Sequence, residues 1–325
     1  MLRRLLRVLL ALVAIGFLGY GLAANWDETT TALAAMSPWA VLGSFVAVLV
    51  GQFFMLLAWR EILAGLGTRV PVRIAGRIMF VGQLGKYIPG AVWAYAAMMD
   101  LGRDHGSPPR RTFATISLGL VINLGVAISI AATTLFTLEA VRQAWYFVLL
   151  VPVIIVCLHP KVLTWGLNLA LRIARREPLE SVLPGRTVVV AVAWTALGWL
   201  VYGLHIWLVA GRPDLYVVAT GAYAFAWATG ILTVVVPAGV GVREGALVLV
   251  LGPIVGTPAA LAVAIVSRLA FTLADAAAAG ISFVLGRKPV PGAQAPSSAV
   301  AYADQNGSGS TALTPDRNLS GSPEA

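Results

Sequence analysis

Charged residues are scarce in this sequence, and that scarcity excludes a soluble globular protein. Only 11% of the 325 residues are charged and 59% are hydrophobic, whereas about 25% of the residues in a typical soluble domain are charged. Several apolar runs reach the ~20 residues that a helix needs to cross a lipid bilayer. The composition therefore predicts an all-α integral membrane protein.

Residues of the common enzyme and cofactor sites are also few. The chain has a single cysteine, Cys157, and three histidines, so it cannot form an internal disulfide and has no cluster of metal-ligating residues in sequence. A phosphate-binding loop with Lys-Ser/Thr and a nucleophilic Gly-x-Ser-x-Gly motif are both missing. We therefore expect no catalytic residue, no metal and no cofactor.

The formal net charge of +9 does not indicate nucleic acid as a partner. The basic residues lie between apolar runs and at their ends, which is the arrangement of basic loops on the inner side of a membrane. Arg3, Arg4 and Arg7 precede the first run, and Arg287 and Lys288 follow the last one. We expect a multi-pass protein of the plasma membrane with both termini in the cytoplasm.

The apolar runs predict about eight transmembrane helices, over residues 5–24, 39–59, 112–138, 145–158, 187–210, 215–236, 246–255 and 258–285. They define a predicted polytopic membrane domain at residues 1–287. Residues 288–325 are rich in Ser, Gly, Pro and Ala and poor in large apolar residues. That composition is typical of disorder, so we expect a disordered cytoplasmic tail there.

The region 74–99 is apolar but interrupted in its middle by Gly85-Lys86-Tyr87-Ile88-Pro89-Gly90. Pro89 removes a backbone donor and Gly90 allows a positive φ. Basic residues flank the region on both sides, so both flanks are expected on the inner side. At ~1.5 Å of rise per residue, the region is too short for two full spans. The sequence favours a re-entrant hairpin, and the alternative is a single kinked span.

A second interruption reads Pro237-Ala238-Gly239-Val240-Gly241-Val242-Arg243-Glu244-Gly245. Charges within hydrocarbon are costly unless protein or water surrounds them, so Arg243 and Glu244 are expected in such surroundings. Arg268 and Asp275 are about two helical turns apart, on one face of the last span, and that face is expected to look into the protein. Broken apolar segments in both halves of a chain are typical of transporter binding sites.

Together, the two interruptions resemble the membrane domain of the lysylphosphatidylglycerol synthase/flippase family, also described as flippase-like. The resemblance lies in the Lys-Tyr-hydrophobic-Pro-Gly element at 86–90 and in the Pro, Gly and Arg-Glu element at 237–244, where Ala238-Gly239 replaces a Gly-Gly pair. It covers approximately residues 1–287. It implies a protein that translocates or handles phospholipid or lipid-linked glycan. The soluble domain that adds lysine to phosphatidylglycerol is expected to be absent.

These observations predict a lipid flippase or transporter with a site for the lipid head group. The candidate head-group residues are Lys86, Tyr87, Asn123, Arg243, Glu244, Arg268 and Asp275, and the candidate backbone-shaping residues are Pro89, Gly90, Pro237, Gly239 and Gly241. Lys86 and Arg243 would neutralise a phosphate. The alternative is a membrane-embedded transferase with Asp275 or Glu244 as its base, or an accessory subunit of a separate glycosyltransferase acting on lipid-linked substrates.

Overall fold

The computed structural model of the protein describes residues 23–87, 92–136, 148–173, 183–233 and 241–286. Within those ranges the chain is helical and contains no strand, which confirms the all-α class. The helices are α1 (Trp26–Ala35), α2 (Pro38–Gly65), α3 (Val72–Gly76), α4 (Val92–Arg103), α5 (Pro109–Leu135), α6 (Leu150–Cys157), α7 (Pro160–Ile173), α8 (Gly185–Ala210), α9 (Tyr216–Leu232), α10 (Val242–Val255) and α11 (Thr257–Leu285). A π-helical segment, Arg77–Val81, follows α3, and 3₁₀ turns cover Leu84–Tyr87 and Pro213–Leu215.

Five of the predicted spans coincide with helices long and apolar enough to cross a membrane. They are α2, α5, α8, the continuous segment Pro213–Leu232 that contains α9, and α11. The predicted span at 145–158 contains α6, which meets α7 at a bend of 72°. The span predicted at 246–255 lies in α10, whose 14 residues fall short of the ~20 that a full crossing needs. The span at 5–24 and the tail at 288–325 lie outside the described residues and stay predictions.

Small residues let α2 and α8 pack closely along their lengths. Gly198 of α8 faces Met55 of α2, and a Cβ at Gly198 would lie 2.8 Å from the Met55 Cε. Near the other ends of the two helices, a Cβ at Gly65 of α2 would lie 2.6 Å from the Thr187 Cγ2 of α8. The partner residue moves towards the N-terminus of α8 as the contact moves towards the C-terminus of α2, so the two helices are antiparallel. Close approach through small residues is the usual basis of helix packing within membranes.

Helix α11 lies at the centre of the packing that positions the site. It contacts α1, α2, α8, α10 and the π-helical segment. Its inner face consists largely of alanine, with Ala260, Ala264 and Ala274 almost completely buried, while Leu269 and Leu273 are more than half exposed. Such an exposed leucine stripe suits contact with lipid tails, and the small inner face lets several neighbours approach the same helix.

The region 74–99 forms a hairpin and not a single kinked span. A Cβ on Gly82 would lie 3.0 Å from the backbone nitrogen of Met98, and a Cβ on Gly85 would lie 2.6 Å from that of Ala94. Moving forward along the first arm therefore means moving backward along the second, so the arms are antiparallel and in contact. Residues 88–91, which include Pro89 and Gly90, lie outside the described residues.

We predict that Gly85→Ala destabilises the hairpin. The added methyl group would meet backbone atoms of Trp93 and Ala94 at 2.6–2.8 Å, and backbone cannot move aside as a flexible side chain does. The expected loss is about 1–3 kcal/mol of the free energy of unfolding, as for other overpacked sites. Thermal unfolding of the purified protein in detergent measures it. Gly280→Ala on α11 is the control, since a Cβ there meets nothing within 4 Å; equal stability of the two variants would contradict the packing.

Candidate functional site

Both charged residues of α11 contact residues of other elements. Asp275 is 8% exposed and pairs with Lys86 of the hairpin. Arg268, two turns earlier, lies 3.5 Å from Glu244 of α10 through its Nη1 atom. One helix face therefore joins the two interrupted segments of the chain, at a separation along the axis of about 10 Å.

The Asp275 carboxylate accepts three contacts from side chains on two elements. Lys86 Nζ and the Tyr87 hydroxyl each lie 2.6 Å from Asp275 Oδ2. The Gln52 amide of α2 donates to Oδ1 at 2.9 Å. A buried carboxylate is tolerated only with such donors around it. The three donors therefore attach α11 to the hairpin and to α2 at one point.

Glu244 has two roles at the start of α10. Gly241, with φ of +83°, precedes the helix, and its backbone N–H donates to Glu244 Oε2 at 2.7 Å. The other carboxylate oxygen, Oε1, faces Arg268. A side chain that caps its own helix N-terminus is fixed in direction, so Glu244 holds Arg268 in a defined place.

Arg243 is held by aromatic rings. Its guanidinium carbon lies 4.6 Å from the ring centroid of Tyr223 and 4.7 Å from that of Phe271, and those two rings are stacked on each other. No hydrogen bond or ion pair joins Arg243 to another residue in the described part of the chain. Cation–π contact favours the charge but leaves the guanidinium donors without acceptors.

A small cleft opens beside Arg243. Its lining consists of Arg243, Glu244, Leu247, Ala264, Ser267 and Arg268, and it has a volume of about 10 Å³. That is room for about one water molecule. The cleft is thus polar and bordered by two arginines, but it is closed to anything as large as a head group.

The rings that hold Arg243 belong to a larger buried aromatic cluster. Tyr202 and His205 of α8 pack against Tyr223 and Phe271. His205 contacts Ser267 of α11 at 2.9 Å through Nε2, and the Tyr202 carbonyl through Nδ1. The Tyr223 hydroxyl is buried, and no described residue is its hydrogen-bond partner. These rings exclude water from one side of the site.

The structure brings six of the seven candidate head-group residues to α11 or its immediate neighbours, and Asn123 stands apart. Asn123 accepts a hydrogen bond from the Trp199 indole at 2.8 Å, on the far side of the aromatic cluster. Lys86 pairs with Asp275 and Arg243 packs on Tyr223 and Phe271, so the described residues show no direct contact between these two cations. Gly241 adopts a positive φ. Pro237 and Gly239, like Pro89 and Gly90, lie outside the described residues.

Sequence reasoning did not identify Gln52, Tyr223 and Phe271 as part of the site. Gln52 carries a usable signal, because an amide in the middle of a long apolar run is unusual and requires a partner. Tyr223 and Phe271 carry none, because aromatic residues are ordinary members of membrane helices. Only the packing of α9 and α11 against α10 places their rings under Arg243.

A comparison with known protein families supports the resemblance that was inferred from the two interrupted segments. A family described as the lysylphosphatidylglycerol synthase TM region matches residues 4–279. That range contains both interrupted segments and the charged cluster formed by Lys86, Arg243, Glu244, Arg268 and Asp275. The chain belongs to this family. It is therefore a membrane-embedded protein of a family connected with lipid handling. Among curated proteins, none matches the chain.

We predict that the ion pair between Lys86 and Asp275 stabilises the folded protein. Asp275→Ala leaves Lys86, Tyr87 and Gln52 without their shared acceptor, so the free energy of unfolding should fall by ~3 kcal/mol. The double variant Lys86→Met/Asp275→Asn removes both charges and should recover at least half of that loss. Chemical unfolding in detergent micelles measures both. A double variant as unstable as Asp275→Ala would contradict the ion pair.

Two substitutions of Glu244 distinguish its hydrogen bond with Gly241 from its ion pair with Arg268. Glu244→Gln keeps an oxygen that accepts from Gly241, whereas Glu244→Ala removes it. We therefore expect Glu244→Ala to be less stable than Glu244→Gln by about 1 kcal/mol, the usual value of a helix N-cap. Thermal unfolding of the two variants side by side measures the difference, and equal stabilities would show that the cap contributes nothing.

Proposed function

We propose that this protein is a lipid flippase or lipid-binding transporter of the plasma membrane, which handles the head groups of phospholipid or lipid-linked glycan. The observation that carries the proposal is Arg243, a guanidinium inside the helix bundle that is held by π-faces and has no anionic partner among the residues that the structure describes. A charge in the interior of a membrane protein is costly and usually marks a substrate pathway.

The chemistry of Arg243 fits a phosphate. Its planar guanidinium presents a rigid fork of N–H donors, which matches two phosphate oxygens at once. Arg268 lines the same cleft and adds a second cation next to it. The Arg268 Nη1 atom lies 3.5 Å from Glu244 Oε1, so a phosphate between the two arginines can replace part of that contact.

The surroundings of the cluster suit a lipid that keeps its tails outside the protein. Lys86 and Tyr87 are both more than one third exposed, so the hairpin end of the cluster is open at the surface of the bundle. On α11, Leu269 and Leu273 are exposed beside the buried charges. Acyl chains can lie along this leucine stripe while the head group moves among the charges.

Movement of a head group requires the ion pairs to open. A cleft of about 10 Å³ is far smaller than any lipid head group, so the described arrangement is a closed one. A phosphate that binds Lys86 replaces the carboxylate of Asp275, which removes one of the two contacts between the hairpin and that carboxylate. In the same way, a phosphate at Arg268 replaces Glu244 and frees the start of α10. Head-group binding and opening are thereby coupled.

The transferase alternative has less support from the geometry. It needs a carboxylate that can take a proton from a substrate, but Asp275 and Glu244 are both engaged by cations and N–H donors. A substrate would have to displace those contacts before either carboxylate could reach its proton. We propose a non-enzymatic carrier, with membrane lipid as its principal partner; a separate glycosyltransferase partner stays a prediction.

Lipid movement in reconstituted vesicles tests the proposal. Purified protein in proteoliposomes should move phosphatidylglycerol labelled on its acyl chain between leaflets, as measured by chemical quenching of the outer leaflet. Arg243→Gln should slow this at least about tenfold, the effect of losing one charge-assisted contact. Arg212→Gln is the matched control, because Arg212 lies between α8 and α9 and, within the described ranges, pairs with exposed Asp214 and with no other residue. Vesicles with wild-type protein that move lipid no faster than empty vesicles would overturn the proposal.

A further inference from the structure

The charged cluster around α11 is not electrically balanced. Lys86, Arg243 and Arg268 supply three positive charges, and Glu244 and Asp275 supply two negative ones. The segments 88–91 and 234–240, which adjoin the cluster in sequence, contain no charged residue. Within the described part of the chain, the cluster therefore carries one uncompensated positive charge.

His205 does not change this balance. Its Nδ1 faces the Tyr202 carbonyl, which can only accept, so Nδ1 carries a proton. Its Nε2 faces the Ser267 hydroxyl at 2.9 Å, which can donate. A neutral imidazole satisfies both contacts.

The uncompensated charge belongs to Arg243. Lys86 is paired with Asp275 and Arg268 with Glu244, whereas Arg243 has only aromatic faces. The Tyr223 hydroxyl, on one of those rings, is buried and has no hydrogen-bond partner among the described residues. A partly buried cation on the ring of such a phenol points to a missing acceptor, because buried polar groups are nearly always satisfied.

We infer that the cluster is matched to lipids whose head group carries one net negative charge, as a single phosphodiester does. This inference rests on the proposed function and names its substrate class. One negative charge brings the occupied cluster to neutrality. A zwitterionic head group leaves the positive charge in place, and a phosphomonoester or diphosphate leaves a negative excess. Residual charge is unfavourable where water is excluded, so charge selects among lipids that all contain phosphate.

Proteoliposomes with four acyl-labelled lipids test this inference. Phosphatidylglycerol carries one negative charge, phosphatidylcholine and phosphatidylethanolamine carry none overall, and phosphatidic acid is a phosphomonoester with about −1.5 to −2 at pH 7. With wild-type protein, phosphatidylglycerol should move about tenfold faster than each of the others, which corresponds to one charge-assisted contact.

Substitutions that change the balance should change the preference in opposite directions. Arg243→Gln makes the cluster neutral, so the preference should shift towards phosphatidylcholine. Glu244→Gln adds one positive charge while it keeps an acceptor for Gly241, so the preference should shift towards phosphatidic acid. Arg243→Lys conserves the charge and should keep the preference for phosphatidylglycerol even if movement is slower.

The outcomes separate this inference from the function on which it rests. If wild-type protein moves all four lipids at equal rates, the charge-matching inference is wrong and the flippase proposal stands. If Arg243→Lys loses the preference as fully as Arg243→Gln, charge is not what selects the lipid, and the inference is again wrong. If no lipid moves at all, the proposed function fails first, and the substrate class falls with it.

Discussion

The ion pair between Lys86 and Asp275 is the contact on which the geometry of the site depends. Asp275 is 8% exposed, and a carboxylate that deep in a helix bundle is stable only with donors close to it. Lys86 and Tyr87 come from the hairpin and Gln52 comes from α2. Satisfying one carboxylate therefore fixes the end of the first hairpin arm against α11 and α2.

Helix α11 joins this point to the second interrupted segment. Arg268 lies two turns from Asp275 and faces Glu244, which also caps α10. The residue before Glu244 is thereby directed into the rings of Tyr223 and Phe271. Capping, ion pairing and aromatic packing at α10 thus place the Arg243 guanidinium at the edge of a small cleft, where no described residue supplies an anion.

Much of the fold is predictable because length and hydropathy are local properties. The runs that form α2, α5, α8, α9 and α11 are long and apolar, and the structure has helices at those places. The hairpin followed from basic residues on both flanks of a region too short for two spans, and Gly82 and Gly85 permit its arms to touch. The site was predictable in part, since charges inside apolar sequence stand out, whereas Tyr223 and Phe271 do not.

By itself, the sequence determined the class of the protein, the two interruptions and the charged residues within them. The reason is that a polar or charged group in a bilayer costs free energy unless protein or water satisfies it, so such groups stand out in an apolar sequence. Only the tertiary structure decided which charge meets which. Lys86 and Asp275 are separated by most of the chain, and nothing local relates them. Helix packing brought them together and, in the part of the chain that the structure describes, left Arg243 as the cation without a counter-charge, because two carboxylates cannot neutralise three cations.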